Sequence, residues 1–224
     1  DTGEFKWLCR NAQNFTIDKE ENIWIMIGTS LIRIKLADPD NQKKYFLPQY
    51  GIQFEPKRII TTNNGDIYFV VLGGGLYRYD KQSDSFIHYS QGSGHLLSNY
   101  CYNVAETNSG ELLVTSDKGI TFLNPSNENT RFVTLGTNLP ITSIADGCGI
   151  LVCRNNELFV GGNDGLASFF REDLDQKEKN YSLYFSELYI HNKRIYPGAV
   201  SGGILKESFP FNKSIHLNNK QNNL

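Results

Sequence analysis

Between residues 14 and 170 the chain repeats one pattern four times: a polar turn, a short apolar run, a second turn and a second apolar or aromatic run. The first runs are Glu21-Asn22-Ile23-Trp24-Ile25, Gly65-Asp66-Ile67-Tyr68-Phe69, Gly110-Glu111-Leu112-Leu113-Val114 and Asn156-Glu157-Leu158-Phe159-Val160. The second runs are Leu31-Ile32-Arg33-Ile34, Gly75-Leu76-Tyr77-Arg78-Tyr79, Gly119-Ile120-Thr121-Phe122-Leu123 and Gly165-Leu166-Ala167-Ser168-Phe169. From Ile23 to Ile67, Leu112 and Leu158 the spacing is 44, 45 and 46 residues. Short strands at such a period, punctuated by Gly, Asn and Asp, predict an all-β chain of stacked propeller blades.

A blade of about four strands cannot bury both faces of its own sheet, so blades must stack on one another. In the second repeat the pattern predicts an inner strand at Arg58-Ile59-Ile60-Thr61, a second from Ile67 to Val71, a third from Leu76 to Tyr79 and an outer one at Phe86-Ile87-His88-Tyr89. Asn64-Gly65 predicts a tight hairpin with positive φ at both residues. Asn108-Ser109-Gly110 is its counterpart in the third repeat. Gly73-Gly74-Gly75 lacks the Lys-Ser/Thr and the helix of a phosphate loop and reads as a strand-to-strand turn.

Composition adds little to this picture but excludes several classes. With 39% hydrophobic and 12% aromatic residues the chain has material for a core. A formal net charge of -2 gives no electrostatic footprint for nucleic acid or an anionic membrane. No run approaches the roughly 18 apolar residues of a membrane span, and Asp1-Thr2-Gly3-Glu4 does not read as a signal peptide. The expectation is a piece of a longer protein.

The two ends support that expectation. Glu4-Phe5-Lys6-Trp7-Leu8 reads as the outer strand of a preceding blade. After Phe170 the repeat gives way to a charged linker, Arg171 to Lys179, and the pattern changes: Tyr181 to Ile190 alternates as a strand, His191-Asn192-Lys193 turns, and Arg194-Ile195-Tyr196 returns before Pro197-Gly198. With a third strand near Ser214-Ile215-His216-Leu217, this predicts the opening of an immunoglobulin-like β-sandwich. The expected division is 1–172 for the blades and 173–224 for the truncated sandwich.

The repeats resemble the two-component regulator propeller, in which an apolar-Trp-apolar triplet is followed by Gly-Thr, then by Gly-Leu and an aromatic strand. Ile23-Trp24-Ile25 with Gly28-Thr29, and Gly75-Leu76-Tyr77-Arg78-Tyr79-Asp80, carry the likeness. The segment Leu188-Tyr189-Ile190-His191-Asn192-Lys193-Arg194-Ile195-Tyr196-Pro197-Gly198 is similar to the start of the triple-tyrosine (Y_Y_Y) sandwich that follows such propellers. The resemblance implies about four blades of a larger, seven-bladed propeller. It implies the periplasmic sensor of a Bacteroides-type hybrid histidine kinase anchored in the inner membrane, with an oligosaccharide ligand, a homodimeric parent, no cofactor and no catalytic residue in this region. The membrane span would lie outside this sequence. Signal transmission would reach the genes of glycan use.

Candidate residues are few. Trp24, Tyr68 and Phe159 occupy equivalent positions and read as packing between blades. Trp7, Tyr50 and Tyr100 fall outside the repeat core and are the candidates for stacking on a sugar. His88, His95, His191 and His216 lack metal spacing. Asp117 and Asp164 precede turn glycines and read as turn caps. Cys148 and Cys153 flank Gly149 to Val152 and are a candidate disulfide if a bend brings their α-carbons within about 7 Å; Cys9 and Cys101 have no evident partner.

Two other function classes remain open at this level. A protein-binding propeller would present a broad apolar patch in place of a polar cleft with a few aromatics. A propeller glycoside hydrolase or lyase would need grouped carboxylates or arginines. Thr115-Ser116-Asp117-Lys118-Gly119-Ile120-Thr121-Phe122 resembles the Asp-box of sialidases, which is a structural turn, but no motif groups Arg58, Arg78 and Arg154.

Overall fold

The computed structural model describes residues 8–136, 139–174, 187–198, 204–205 and 214–218. The chain divides into two compact units, 1–175 and 176–224. The first contains four antiparallel sheets in which sequence order is also spatial order. Blade 1 is β1 (Asn14–Ile17), β2 (Asn22–Ile27), β3 (Ser30–Lys35) and β4 (Asp38–Phe46); blade 2 is β5 (Pro56–Thr61), β6 (Ile67–Val71), β7 (Gly75–Asp80) and β8 (Ser85–Tyr89). Blade 3 is β9 (Cys101–Glu106), β10 (Leu112–Ser116), β11 (Gly119–Leu123) and β12 (Thr130–Thr134). Blade 4 has three strands among the described residues: β13 (Ile150–Val152), β14 (Glu157–Gly162) and β15 (Gly165–Phe170). The inner strands β1, β5, β9 and β13 touch in succession, as radial stacking requires.

Three apolar layers hold the stack. Trp24, Met26 and Leu31 of blade 1 meet Ile59, Phe69 and Tyr77 of blade 2. Tyr68, Val70 and Leu76 meet Val104, Leu112 and Val114 of blade 3, and Leu113, Ile120 and Phe122 meet Leu158, Val160 and Phe169 of blade 4. Successive residues of β6 therefore feed opposite layers, and all five are buried. That is why the first run of the repeat reads as continuously apolar rather than alternating. Trp24 and Tyr68 pack between blades as expected; Phe159 is only half-buried.

The first hairpin of every blade is the same turn. Gly65 N–H donates to the Thr62 carbonyl at 2.8 Å and Thr62 N–H to the Asp66 carbonyl at 2.9 Å, with the same pairs at Asp18–Asn22, Thr107–Glu111 and Cys153–Glu157. The left-handed residue is Glu21, Gly65, Gly110 or Asn156, at φ between 61° and 94°. Asn64 is not left-handed, contrary to the expectation from Asn-Gly. This is a three-residue hairpin loop, residues 63–65 in blade 2, closed by one left-handed residue, not a two-residue hairpin.

The glycine that opens the third strand records the outer strand beside it. A Cβ on Gly75 would lie 2.6 Å from the Tyr89 carbonyl and one on Gly119 would lie 2.1 Å from that of Val133, whereas one on Gly165 meets nothing within 4 Å. The next residue shows the same contrast. Leu31, Leu76 and Ile120 are fully buried, but Leu166 is 69% exposed. Together with Leu151 and Phe170 it leaves one end of the stack apolar among the described residues, and Phe15 and Ile17 do so at the other end.

In the second unit β16 (Leu188–Ile190) and β17 (Lys193–Ile195) pair antiparallel. They are joined by His191 and Asn192, both with positive φ, which is the two-residue hairpin geometry. Residues 214–218 are not a strand, contrary to expectation. The expected strands at Glu4–Leu8 and over Tyr181–Ser186 fall outside the described residues, save Leu8.

Two glycines separate backbone strain from steric exclusion. Gly110, at φ 84° with open space around it, and Gly119, against a carbonyl, are both left-handed-region positions. Gly110→Ala is expected to cost about 1–2 kcal/mol, and Gly119→Ala clearly more, because the outer strand must move. Urea unfolding of both variants checks this, and equal losses would contradict the assignment of Gly119 to the strand contact.

Candidate functional site

Because neighbouring strands are antiparallel, the turns of each blade gather on two faces of the stack. One face carries the turns between second and third strands and the links from blade to blade. The link after β4 starts with a short 3-10 turn, Leu47–Tyr50, closed by Gly51 at φ 78°. Buried Leu47 and Ile52 anchor it. Tyr50 then lies edge-on to Phe86 at 5.0 Å, and Phe54 stands 56% exposed.

Phe54 faces the β6–β7 turn. There Gly73 is left-handed at φ 78°, and a Cβ on it would sit 3.8 Å from both the Phe54 and the Tyr100 rings. Tyr100, 57% exposed, is held by a bridge to Leu72, while the Asn99 carbonyl accepts the Gly75 N–H at 3.0 Å. His88 Nε2 lies 2.7 Å from the Gly74 carbonyl and its ring stacks on Tyr77 at 4.5 Å. Phe54, Tyr77, His88 and the glycine main chain line a notch of about 190 Å³ bordered by Gln53 and Asn99; Tyr100 lies beside Gly73 but does not line it.

The structure thus pairs one sequence candidate, Tyr100, with a residue that sequence reasoning missed, Phe54. Phe54 sits in a link with no repeat register; the one signal for it was an isolated aromatic between Gln53 and Glu55. Tyr50 is packed against its neighbours and does not line the notch. Trp7 lies outside the described residues.

The opposite face carries two charged clefts. The first, about 490 Å³, lies between blades 1 and 2 and is bordered by Asp18, Trp24, Arg33, Asp66, Arg78 and Tyr79. The second, about 460 Å³, lies between blades 3 and 4 around Asn108, Asn124, Asn156 and a two-pronged Arg171–Glu111 ion pair at 2.6 and 3.0 Å. Trp24 is committed to structure: its Nε1–H donates to Asp18 Oδ2 at 2.8 Å, Arg33 lies 5.6 Å over its ring, and the residue is 1% exposed. Burial raises the Asp18 pKa, but hydrogen bonds from Trp24, Asn22 and the main chain outweigh it and the net shift is downward.

Beside this cleft Asp84 ties the outer strands of blades 1 and 2. It accepts from Tyr79 Oη at 2.7 Å and Tyr45 Oη at 2.8 Å and pairs with Lys43. The Lys43 bond, with the two tyrosines, holds its pKa at about 2. Burial pushes the Tyr45 pKa upward, so its proton stays in place to donate.

The remaining candidates do not form a site. Cys148 and Cys153 are both free. They flank β13, whose extended backbone carries positions five apart to roughly 16 Å, far beyond the 7 Å limit. The bend that a disulfide required is a strand. Asp164 does not cap its own turn: its Oδ2 accepts from Thr142 N–H at 2.9 Å and Thr142 Oγ1 at 2.7 Å. Among the described residues no three His, Cys, Asp or Glu side chains gather as metal ligands, and no helix is long and apolar enough to cross a membrane.

No protein-family profile and no curated protein matches the chain. Solved structures do. The extracellular domain of a Bacteroides thetaiotaomicron protein described as a hybrid two-component system matches with a TM-score of 0.60 and 16% identity over 74% of this chain and 24% of that one. The extracellular domain of a one-component system from the same organism matches with a TM-score of 0.53 and 18% identity over 93% and 26%. A catalytically inactive virginiamycin B lyase from Staphylococcus aureus, bound to quinupristin, matches with a TM-score of 0.52 and 15% identity over 71% and 55%. At such identities the likeness defines the fold, an all-β stack of propeller blades. The chain spans about a quarter of the length of the two sensor domains.

The Asp84 geometry predicts an acid-sensitive contact. In the unfolded chain its carboxyl protonates near 3.8, in the folded protein near 2, so the stability it adds is complete above about pH 4 and is lost as pH falls toward 2. With the side chain 38% exposed, screening limits the effect to about 1 kcal/mol. Asp84→Asn should lower the urea midpoint at pH 7, and the gap from the natural protein should close below pH 3. A gap that persists at pH 2 would contradict the assignment.

Proposed function

We propose that this chain is the ligand-sensing part of the extracytoplasmic region of a hybrid histidine kinase and response regulator, that it recognises oligosaccharides, and that the signal controls genes of glycan use. The fold it shares with the extracellular domain of a hybrid two-component system carries this reading. The order of the two units, blades first and then a segment whose β16–β17 hairpin resembles the start of a triple-tyrosine sandwich, supports it. The parent is a periplasmic-facing inner-membrane protein acting as a homodimer.

The chemistry of the blade faces suits recognition without turnover. Ser116 of the Asp-box donates to the Gly119 carbonyl at 3.1 Å, and Thr121 Oγ1 accepts the Leu97 N–H at 3.0 Å. Those groups serve the turn and the link above it, as a structural box would. Sensing then requires only that the ligand bind one arrangement of the parent dimer better than another; about 1–3 kcal/mol of such coupling is typical.

Calorimetric titration of the protein with defined oligosaccharides tests the reading. A heat that saturates at fixed stoichiometry is the expected result. Continuing heat with release of cleaved product would replace the sensor with an enzyme, and silence across the panel would favour a protein partner.

A further inference from the structure

Resting on the oligosaccharide reading, we infer that a groove on blade 1 between Arg33, Lys35, Lys43 and Lys81 is an anion subsite, and that the sugar it takes carries a carboxylate or a sulfate. The groove, of about 310 Å³, adjoins the larger cleft between blades 1 and 2 and is lined by those four cations against one carboxylate, Glu20. Strand register assembles it. Arg33 lies directly opposite Lys43 of β4, and Lys35 follows two residues further along β3, so the pleat turns all three side chains to the same face. Like charges placed opposite one another on a sheet cost stability. The fold bears that cost at the one place where the turn of blade 2 brings a fourth cation, Lys81, to the same groove.

Which charges are left over decides the ligand class. Lys43 pairs with Asp84 and Lys81 with Glu20, and these two pairs serve the frame by joining blades 1 and 2. Arg33 and Lys35 have no ion-pair partner among the described residues, and Asp38, the register partner of Lys35, forms no pair with it. Arg33 Nη1 donates to Tyr79 Oη at 3.1 Å while that hydroxyl donates to Asp84, so Tyr79 stands between the guanidinium and the nearby carboxylate. The Arg33 Cζ also lies 5.6 Å over the Trp24 ring, which holds the group in place before any ligand arrives. A guanidinium has five N–H donors in a fixed fork, and the fork matches two oxygens of a carboxylate or sulfate. Exposed Lys35 adds a second, unspent charge beside it. A groove with a surplus of one sign gathers ligands of the other without having to be dry.

The test is a titration of the protein and three variants with neutral, hexuronate and sulfated oligosaccharides, at low and at high salt. An acidic series should bind, more weakly as salt rises, and whether it is the hexuronate or the sulfated one separates the two anions. Arg33→Gln should weaken that binding about ten-fold, as loss of a two-pronged contact does, and Lys35→Gln about three-fold. Lys118→Gln, which removes an exposed cation from the opposite face, changes the net charge equally and should leave binding as it was. Thermal melting reports whether each variant is folded; if Arg33→Gln is not, exposed Lys35 carries the test. Acidic-sugar binding that ignores both groove variants, or that Lys118→Gln weakens as much, would overturn the groove while leaving the sensor reading intact. Binding restricted to neutral sugars would overturn the ligand class. Failure of every sugar would remove the oligosaccharide reading and the subsite with it.

Discussion

Burial on both faces of the middle strands is the constraint on which the rest of this structure depends. β6 and β10 lie wholly inside, each contributing alternate residues to the layer on its left and the layer on its right. A single blade would expose one of those faces, and each large side chain so exposed forgoes about 1.5–3 kcal/mol. The unit of stability is therefore the layer between two blades, not the blade. Outer strands such as β4, with only Tyr45 buried, carry the polar residues that keep the rim in water.

That arrangement divides the aromatic side chains into two populations. Trp24, Tyr68, Phe69 and Phe122 sit on strands, where the pleat directs them into layers, and none has surface to offer a ligand. Phe54 and Tyr100 sit on links that the layers anchor at both ends but do not cover. Recognition can thus vary with the links while the layers stay fixed, which is how one fold carries sensors and a lyase alike. The charged clefts of the opposite face belong to the frame: their ion pairs join neighbouring blades across the first hairpins and the strand ends.

The fold was legible because its signal is repeated. Four runs spaced by nearly equal intervals predict the strands of the second blade almost residue by residue, and the positions of Trp24 and Tyr68 follow from register alone. Where register lapses, legibility lapses too. The turn at Asn64 was misread because a dipeptide does not specify whether a hairpin closes over two residues or three; the hydrogen bonds of Thr62 decide that. Cys148 and Cys153 were a candidate pair only if the chain bent between them, and spacing is blind to the strand that lies there. Phe54 was missed because links have no period, and only the fold brings residues 54, 73 and 100 together.

The contrast among Gly75, Gly119 and Gly165 bears on how the chain behaves in concentrated solution. In blades 2 and 3 the third strand is sealed by a neighbour so close that a methyl group does not fit; in blade 4 the same position opens onto empty space beside exposed Leu166 and Phe170. Among the described residues no strand pairs with the outer side of β15, and an unpaired edge next to apolar side chains is a template for an extended segment that meets it. On such an edge a lysine or proline acts as a gatekeeper against runaway strand addition.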